Sequence, residues 1–108
     1  MKIHRGDVVV CAFQGDYGKP RPAVVVQSDL FNETHASMTL CPITSELIDA
    51  HFFRVSIESN EVNGLKIRSQ IMVDKIVSIQ KDKIKQKIGR LTDTELDLVQ
   101  SALQMWLN

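Results

Sequence analysis

The residues best suited to chemistry lie in one short polar segment, Gly15-Asp16-Tyr17-Gly18-Lys19-Pro20-Arg21-Pro22, set between two of the most apolar stretches of the chain. Pro20 and Pro22 fix φ on both sides of Arg21 and leave its guanidinium on a stiff backbone. A turn requires glycine and proline; it does not require an arginine between prolines. The planar guanidinium fork suits a phosphate gripped at two oxygens.

Other chemistries find no support. The sequence has no Gly-rich phosphate loop, no His-x-x-x-His, no nucleophile elbow and no cluster with metal-ligand spacing, so neither a metal nor a nucleotide cofactor is expected. His4, His35 and His51 are scattered. A ribonuclease-type acid–base pair of histidines is chemically feasible, but unconnected surface or strand histidines suit the spacing better. Cys11 and Cys41 lie 30 positions apart in apolar stretches without Cys-x-x-Cys spacing, and read as buried free thiols in a reducing cytoplasm. The longest apolar run, Val8 to Phe13, has six residues, against roughly 20 for a membrane span and about 7–15 for a signal-peptide core. A cytoplasmic protein with no membrane partner is expected.

The elements that must position Arg21 are mostly short strands. With 108 residues, 44% apolar and 24% charged, the chain can build one core, and no linker or repeat divides residues 1–108. Val8 to Phe13 and Ala23 to Val26 are apolar at odd and even positions, which predicts strands covered on both faces and a sheet that curls on itself. Met38 to Ile43 is a third strand, with Pro42 pointing to an edge or a strand end. His51 to Ile57 alternates, with Phe53, Val55 and Ile57 on one face and Phe52, Arg54 and Ser56 on the other. Asn63-Gly64 is a turn signal. Ser69 to Ile79 reads as one bent strand or two short ones interrupted near Asp74-Lys75.

The period changes at the C-terminus. Thr92-Asp93-Thr94-Glu95 is a capping box that opens a helix. Leu96, Val99, Leu103 and Trp106 form its apolar stripe, widened by Leu98, Ala102 and Met105. The expected architecture is mostly β: five to seven curved strands in a small SH3-like barrel closed by one amphipathic helix.

Thirteen basic residues balance thirteen acidic ones, so bulk charge attracts no polyanion. The distribution is uneven. Residues 29–64 carry six acids and one base, Arg54, a net of −5, whereas residues 65–90 carry eight bases and two acids, a net of +6. Lys81 to Lys87 is either a solvated lysine-rich loop or part of a cationic face.

Five segments, Arg5-Gly6-Asp7-Val8-Val9, Lys19-Pro20-Arg21-Pro22-Ala23-Val24-Val25-Val26, Cys41-Pro42-Ile43-Thr44, Ser69-Gln70-Ile71-Met72-Val73-Asp74-Lys75-Ile76 and Lys87-Ile88-Gly89-Arg90-Leu91, stand in an order and spacing that resemble the MazF/PemK toxins of bacterial toxin–antitoxin pairs. The resemblance spans nearly the whole chain. It implies a metal-independent endoribonuclease that cuts single-stranded RNA by attack of the substrate's own 2′-OH, leaving a 2′,3′-cyclic phosphate and a 5′-hydroxyl. Such chemistry needs a base, an acid and a cation, and no enzyme nucleophile.

By the resemblance, Arg21 is the catalytic arginine and Thr44 the catalytic threonine that holds a phosphate oxygen. Asp16 orients Arg21, acts as base, or closes an Asx turn. Asp74 falls on an acidic position that serves some members as general base, or is structural here. Members that use it carry an arginine two residues earlier, and this chain has Met72. RNA contacts are expected from Lys19, Arg68, Ser69 and Lys75, with stacking from Tyr17 or Phe13. The resemblance also implies a homodimer, an antitoxin with a flexible acidic tail, and promoter DNA only through the toxin–antitoxin complex. The competing readings are an inactive SH3-like module that binds DNA or protein, and a CcdB-type gyrase poison. The latter lacks its C-terminal Trp-Gly-Ile here, since the chain ends Met105-Trp106-Leu107-Asn108.

Overall fold

The computed structural model describes residues 1–13, 15 and 19–108. It contains seven strands and two helices: β1 (Asp7–Ala12), β2 (Pro20–Val25), α1 (Asp29–Asn32), β3 (Ser37–Thr44), β4 (Arg54–Ile57), β5 (Ser69–Met72), β6 (Val77–Gln80), β7 (Ile84–Arg90) and α2 (Asp93–Leu107). Single 3-10 turns at Val73–Lys75 and Lys81–Lys83 separate β5 from β6 and β6 from β7. The strands form one antiparallel sheet in the order β4-β5-β3-β2-β1-β7, with β6 paired to β3. The sheet curls but does not close, so the expected barrel is an open one with β4 and β7 at its ends.

Apolar residues at odd and even positions do fill both faces. Val8, Val24, Cys41, Ile43, Val55, Ile57, Ile71 and Val73 form one cluster, which Val99, Leu96, Ala102 and Leu103 of α2 cover. Val9, Cys11, Ala23, Val25, Met38, Leu40 and Ile84 form the other. β3 and β7 are three strand spacings apart in the sheet, about 14 Å if it were flat, yet Met38 and Ile84 share a cluster. Curvature brings them together.

The prolines lie where no donor is missed. Val25 C=O accepts from Gly6 N–H, while Val26 N–H donates to Thr39 C=O, so even-numbered N–H groups of β2 face β3. Pairing with β3 begins only at Ala23, and Pro20 and Pro22 therefore extend β2 at no cost in ladder bonds. Of the two places the sequence suggested, Pro42 is not at a sheet edge but lies near the end of β3, where the ladder with β2 stops. β3 is the hub of the sheet: it pairs with β2 on one side, and on the other with β6 through Leu40 and with β5 from Ile43. Pro42 fills the gap between β6 and β5.

Four further differences are seen. β4 starts only at Arg54, because residues 51–53 turn. The lysine-rich stretch is not a loop but a 3-10 turn followed by β7, whose Lys85, Gln86 and Lys87 are exposed. An edge strand with solvated lysines shows no apolar alternation to read. One of them, Lys87, places Nζ 3.2 Å from the buried carboxylate of Asp7. On α2 the capping box is present, with Glu95 N–H donating to Thr92 Oγ1 and Thr92 N–H to Glu95 Oε1. Leu98 and Met105 face outward, so the buried stripe is narrower than expected. Trp106 anchors the last turn against Phe53, with ring centroids 6.1 Å apart. α1, unanticipated, is a single turn capped by the Ser28 hydroxyl.

Candidate active site

The β2–β3 ladder pairs Val25 with Leu40, Val24 with Cys41 and Ala23 with Pro42. The same register carried two residues further sets Arg21 opposite Thr44, both on the face of Ala23 and Pro42. From Thr44 the pairing continues across the sheet, Thr44 to Gln70 on β5 and Gln70 to Ser56 on β4. Thr44, Gln70 and Ser56 thus share one row across three strands, at about 4.8 Å per strand, and Arg21 stands at its extension on β2, beyond the last β2–β3 pair. Alongside the row, Met72 on β5 pairs with Arg54 on β4.

Arg21 is exposed at the start of β2, and its carbonyl accepts from the Cys11 thiol at 3.8 Å. Burial pushes that thiol up to about 12, so it stays a donor. Thr44 ends β3, and its Oγ1 accepts from Glu46 N–H at 3.1 Å, which leaves the hydroxyl proton to be donated elsewhere. Beside it, the Gln70 amide is occupied on both sides: Oε1 accepts from Ile48 N–H and from Arg54 Nη1, and Nε2 donates to Ile48 C=O. Arg54 Nη1 also donates to Glu46 C=O at 2.7 Å. The connection that leaves Thr44 is in this way tied to β4 and β5.

Asp74 lies in the 3-10 turn between β5 and β6, half-buried, and its Oδ1 is buried without a hydrogen-bond partner among the described residues. It is close enough to Cys41 to act on it: burial first, and the Asp74 charge second, push that thiol up to about 12. Met72, where the resemblance looks for an arginine, is apolar, and the residue directly across its ladder is Arg54. Lys19 and Lys75 are exposed. Arg68 pairs with Glu58 at 3.0 Å, and the Ser69 hydroxyl is turned inward to Ile67 C=O. Asp16 and Tyr17 lie outside the described residues. Among the described residues no three His, Cys, Asp or Glu side chains are grouped to hold a metal ion, and no helix is long and apolar enough to cross a membrane.

Sequence reasoning did not single out Gln70 or Arg54 for the site. For Arg54 a signal was present: it is the one base in the acidic stretch 29–64. For Gln70 there was none, because its role depends on a partner 22 residues away.

Residues 4–107 match the family described as PemK-like, MazF-like toxin of type II toxin-antitoxin system. The chain is 36% identical to a probable endoribonuclease MazF of Mycolicibacterium smegmatis, over 97% of this chain and 96% of that protein. It is 30% identical to the endoribonuclease EndoA of Bacillus subtilis, over 99% and 96%. Among solved structures, MazF of Deinococcus radiodurans superposes with a TM-score of 0.82 at 20% identity, covering 99% of this chain and 97% of that one. A mycobacterial endoribonuclease in complex with its cognate antitoxin superposes equally well, at 0.82 and 20% identity, covering 97% and 94%.

Proposed function

Because the chain belongs to the PemK-like, MazF-like toxins of type II toxin–antitoxin systems, we propose that it is a cytoplasmic, metal-independent endoribonuclease of single-stranded RNA whose reaction centre is the Arg21–Thr44 row. The 2′-OH of the substrate attacks the adjacent phosphorus, the 5′-oxygen leaves, and a 2′,3′-cyclic phosphate and a 5′-hydroxyl result. Arg21 meets the charge that builds on the phosphorane oxygens. The Thr44 hydroxyl, its acceptor side held by Glu46 N–H, donates to a non-bridging oxygen. Asp74 is the base candidate, with Asp16 the alternative. A homodimer carries the RNA, and an acidic antitoxin tail competes with it; the net charge of +6 on residues 65–90 attracts both polyanions.

The observation that supports this reading is the β2–β3 register, which pairs Ala23 with Pro42 and, extended by two residues, would set Arg21 opposite Thr44, 23 positions away in the chain. The test is incubation of purified protein with a mixed-sequence RNA in excess EDTA. Cleavage with 5′-hydroxyl ends is expected, with the matching DNA left intact for want of a 2′-OH. Arg21→Ala should remain folded and lose roughly 10²–10³-fold in rate. Folded wild-type protein that leaves RNA uncut would sink the nuclease reading in favour of a binding module.

A further inference from the structure

We propose that Arg54 is a second phosphate-binding cation of this site, holding a phosphodiester of the RNA other than the one cut; the proposal rests on the ribonuclease reading above. Arg54 projects from the same face as Thr44 and Gln70, on the strand at the far end of the row from Arg21. The strands carrying the two arginines are three spacings apart in the sheet, with Thr44 on a strand between them, so they mark two ends of one track.

The guanidinium of Arg54 is not neutralised. Among the described residues no carboxylate lies within ion-pair distance of it. Its acceptors Glu46 C=O and Gln70 Oε1 are both neutral and both taken by Nη1. Its Nε is buried with no acceptor among the described residues. Folded proteins rarely leave a half-buried cation in that condition, because desolvation is costly unless an anion or a full set of acceptors repays it. The missing anion has to come from outside the described chain. Position 54 is also the one base in a segment of net −5, and six acids nearby in sequence have not closed on it. Met72, directly opposite, brings no charge. What fits an uncompensated guanidinium charge beside a ribonucleolytic row is a phosphate oxygen, met by Nη2, since Nη1 is taken and Nε is buried.

The experiment uses full-length protein and a short RNA containing one cleavage site. Single-turnover cleavage is measured against salt concentration for wild type, Arg54→Gln and Arg54→Lys, with melting temperatures alongside. A scan with single methylphosphonate substitutions then removes one phosphate charge at a time. Arg54→Gln should lower kcat/KM about 10- to 100-fold, mostly through KM, and make the salt slope shallower by about 0.7, the share of one contact to single-stranded nucleic acid. Arg54→Lys should recover most of the slope. One methylphosphonate, away from the scissile position, should weaken wild type but not Arg54→Gln further. The proposal is overturned if Arg54→Gln keeps the wild-type salt slope and every methylphosphonate costs both proteins alike. It is also overturned if lost activity merely follows a lost melting temperature. Wild-type protein that does not cleave RNA would overturn the ribonuclease reading itself, and this proposal with it.

Discussion

Gln70 binds both backbone polar groups of Ile48, accepting from its N–H at 3.1 Å and donating to its C=O at 3.0 Å. A side-chain amide here does the work of one more strand residue, pinning the β3–β4 connection next to Thr44. Gln70→Leu leaves the Ile48 groups and Arg54 Nη1 short of partners, each buried unpaired group costing roughly 1–3 kcal/mol. Denaturant unfolding should show a loss of about 2–3 kcal/mol. Cleavage measured well below the melting temperature should fall as well, because Glu46 N–H, which orients Thr44, belongs to the loosened segment. Unchanged cleavage in a destabilised protein would mean that the loop does not set the Thr44 geometry.

Thr44 offers a cleaner separation of roles. Its Oγ1 accepts from Glu46 N–H at 3.1 Å, so the hydroxyl is a local turn acceptor as well as the donor to substrate that the proposed mechanism requires. Thr44→Ser keeps both and should stay near wild-type activity. Thr44→Val keeps the shape and loses both, and should cut the rate about 10- to 100-fold, less than Arg21→Ala. Equal activities for the serine and valine proteins would remove the hydroxyl from the mechanism.

Most of the strands and all of α2 could be read from the chain because their cause is local: doubled apolar faces at Val8–Val10 and Val24–Val25, alternation at Val55 and Ile57, and a capping box at Thr92 and Glu95. β7 could not, since an edge strand of Lys85, Gln86 and Lys87 draws its structure from pairing with β1 rather than from burial. Pro42 could be only half placed, for the opposite reason: a proline is excluded from a strand interior only where a partner needs its N–H, and whether one does depends on where β6 stops and β5 starts. Of the residues of the proposed site, Arg21 is marked in the sequence by the prolines around it and Thr44 by the segment it ends, whereas Arg54 shows only as an isolated charge. Its relation to Met72 is a cross-strand pairing between residues 18 positions apart, which no local pattern encodes.

Gly89 predicts a strong steric effect. A Cβ there would lie 2.3 Å from Val62 C=O and 2.5 Å from the Asn63 carbonyl carbon, both backbone atoms that cannot swing aside. The turn is held by Asn63, whose buried side chain donates to Glu58 C=O and accepts from Asn60 and Leu65 N–H. Arg90 N–H also donates to Val62 C=O at 2.9 Å. Gly89→Ala must separate β7 from this turn, and a loss of about 2–3 kcal/mol or more is expected in urea unfolding. A melting temperature within a degree or two of wild type, about the effect of a neutral surface change, would show that the turn can retreat without cost.

The two buried thiols predict a pH dependence of stability. Cys11 and Cys41 are raised from 9.0 to about 12, the first by burial and the second by burial and the Asp74 charge. Between these values the unfolded chain gives up protons that the native chain keeps, so the native state binds more protons and stability falls as pH rises. Below pH 9 the thiols are neutral in both states and their contribution is fully present. Above it each thiol should subtract up to about 1.4 kcal/mol per pH unit, until the native thiols also ionise near 12. Denaturant unfolding from pH 7 to 10.5, on wild type and on Cys11→Ala/Cys41→Ala, isolates the effect from lysine and tyrosine titration. The double variant will be less stable at pH 7 because of lost packing, but its stability should decline more slowly above pH 9. Parallel declines in the two proteins would mean that the thiols ionise as readily inside the fold as outside it.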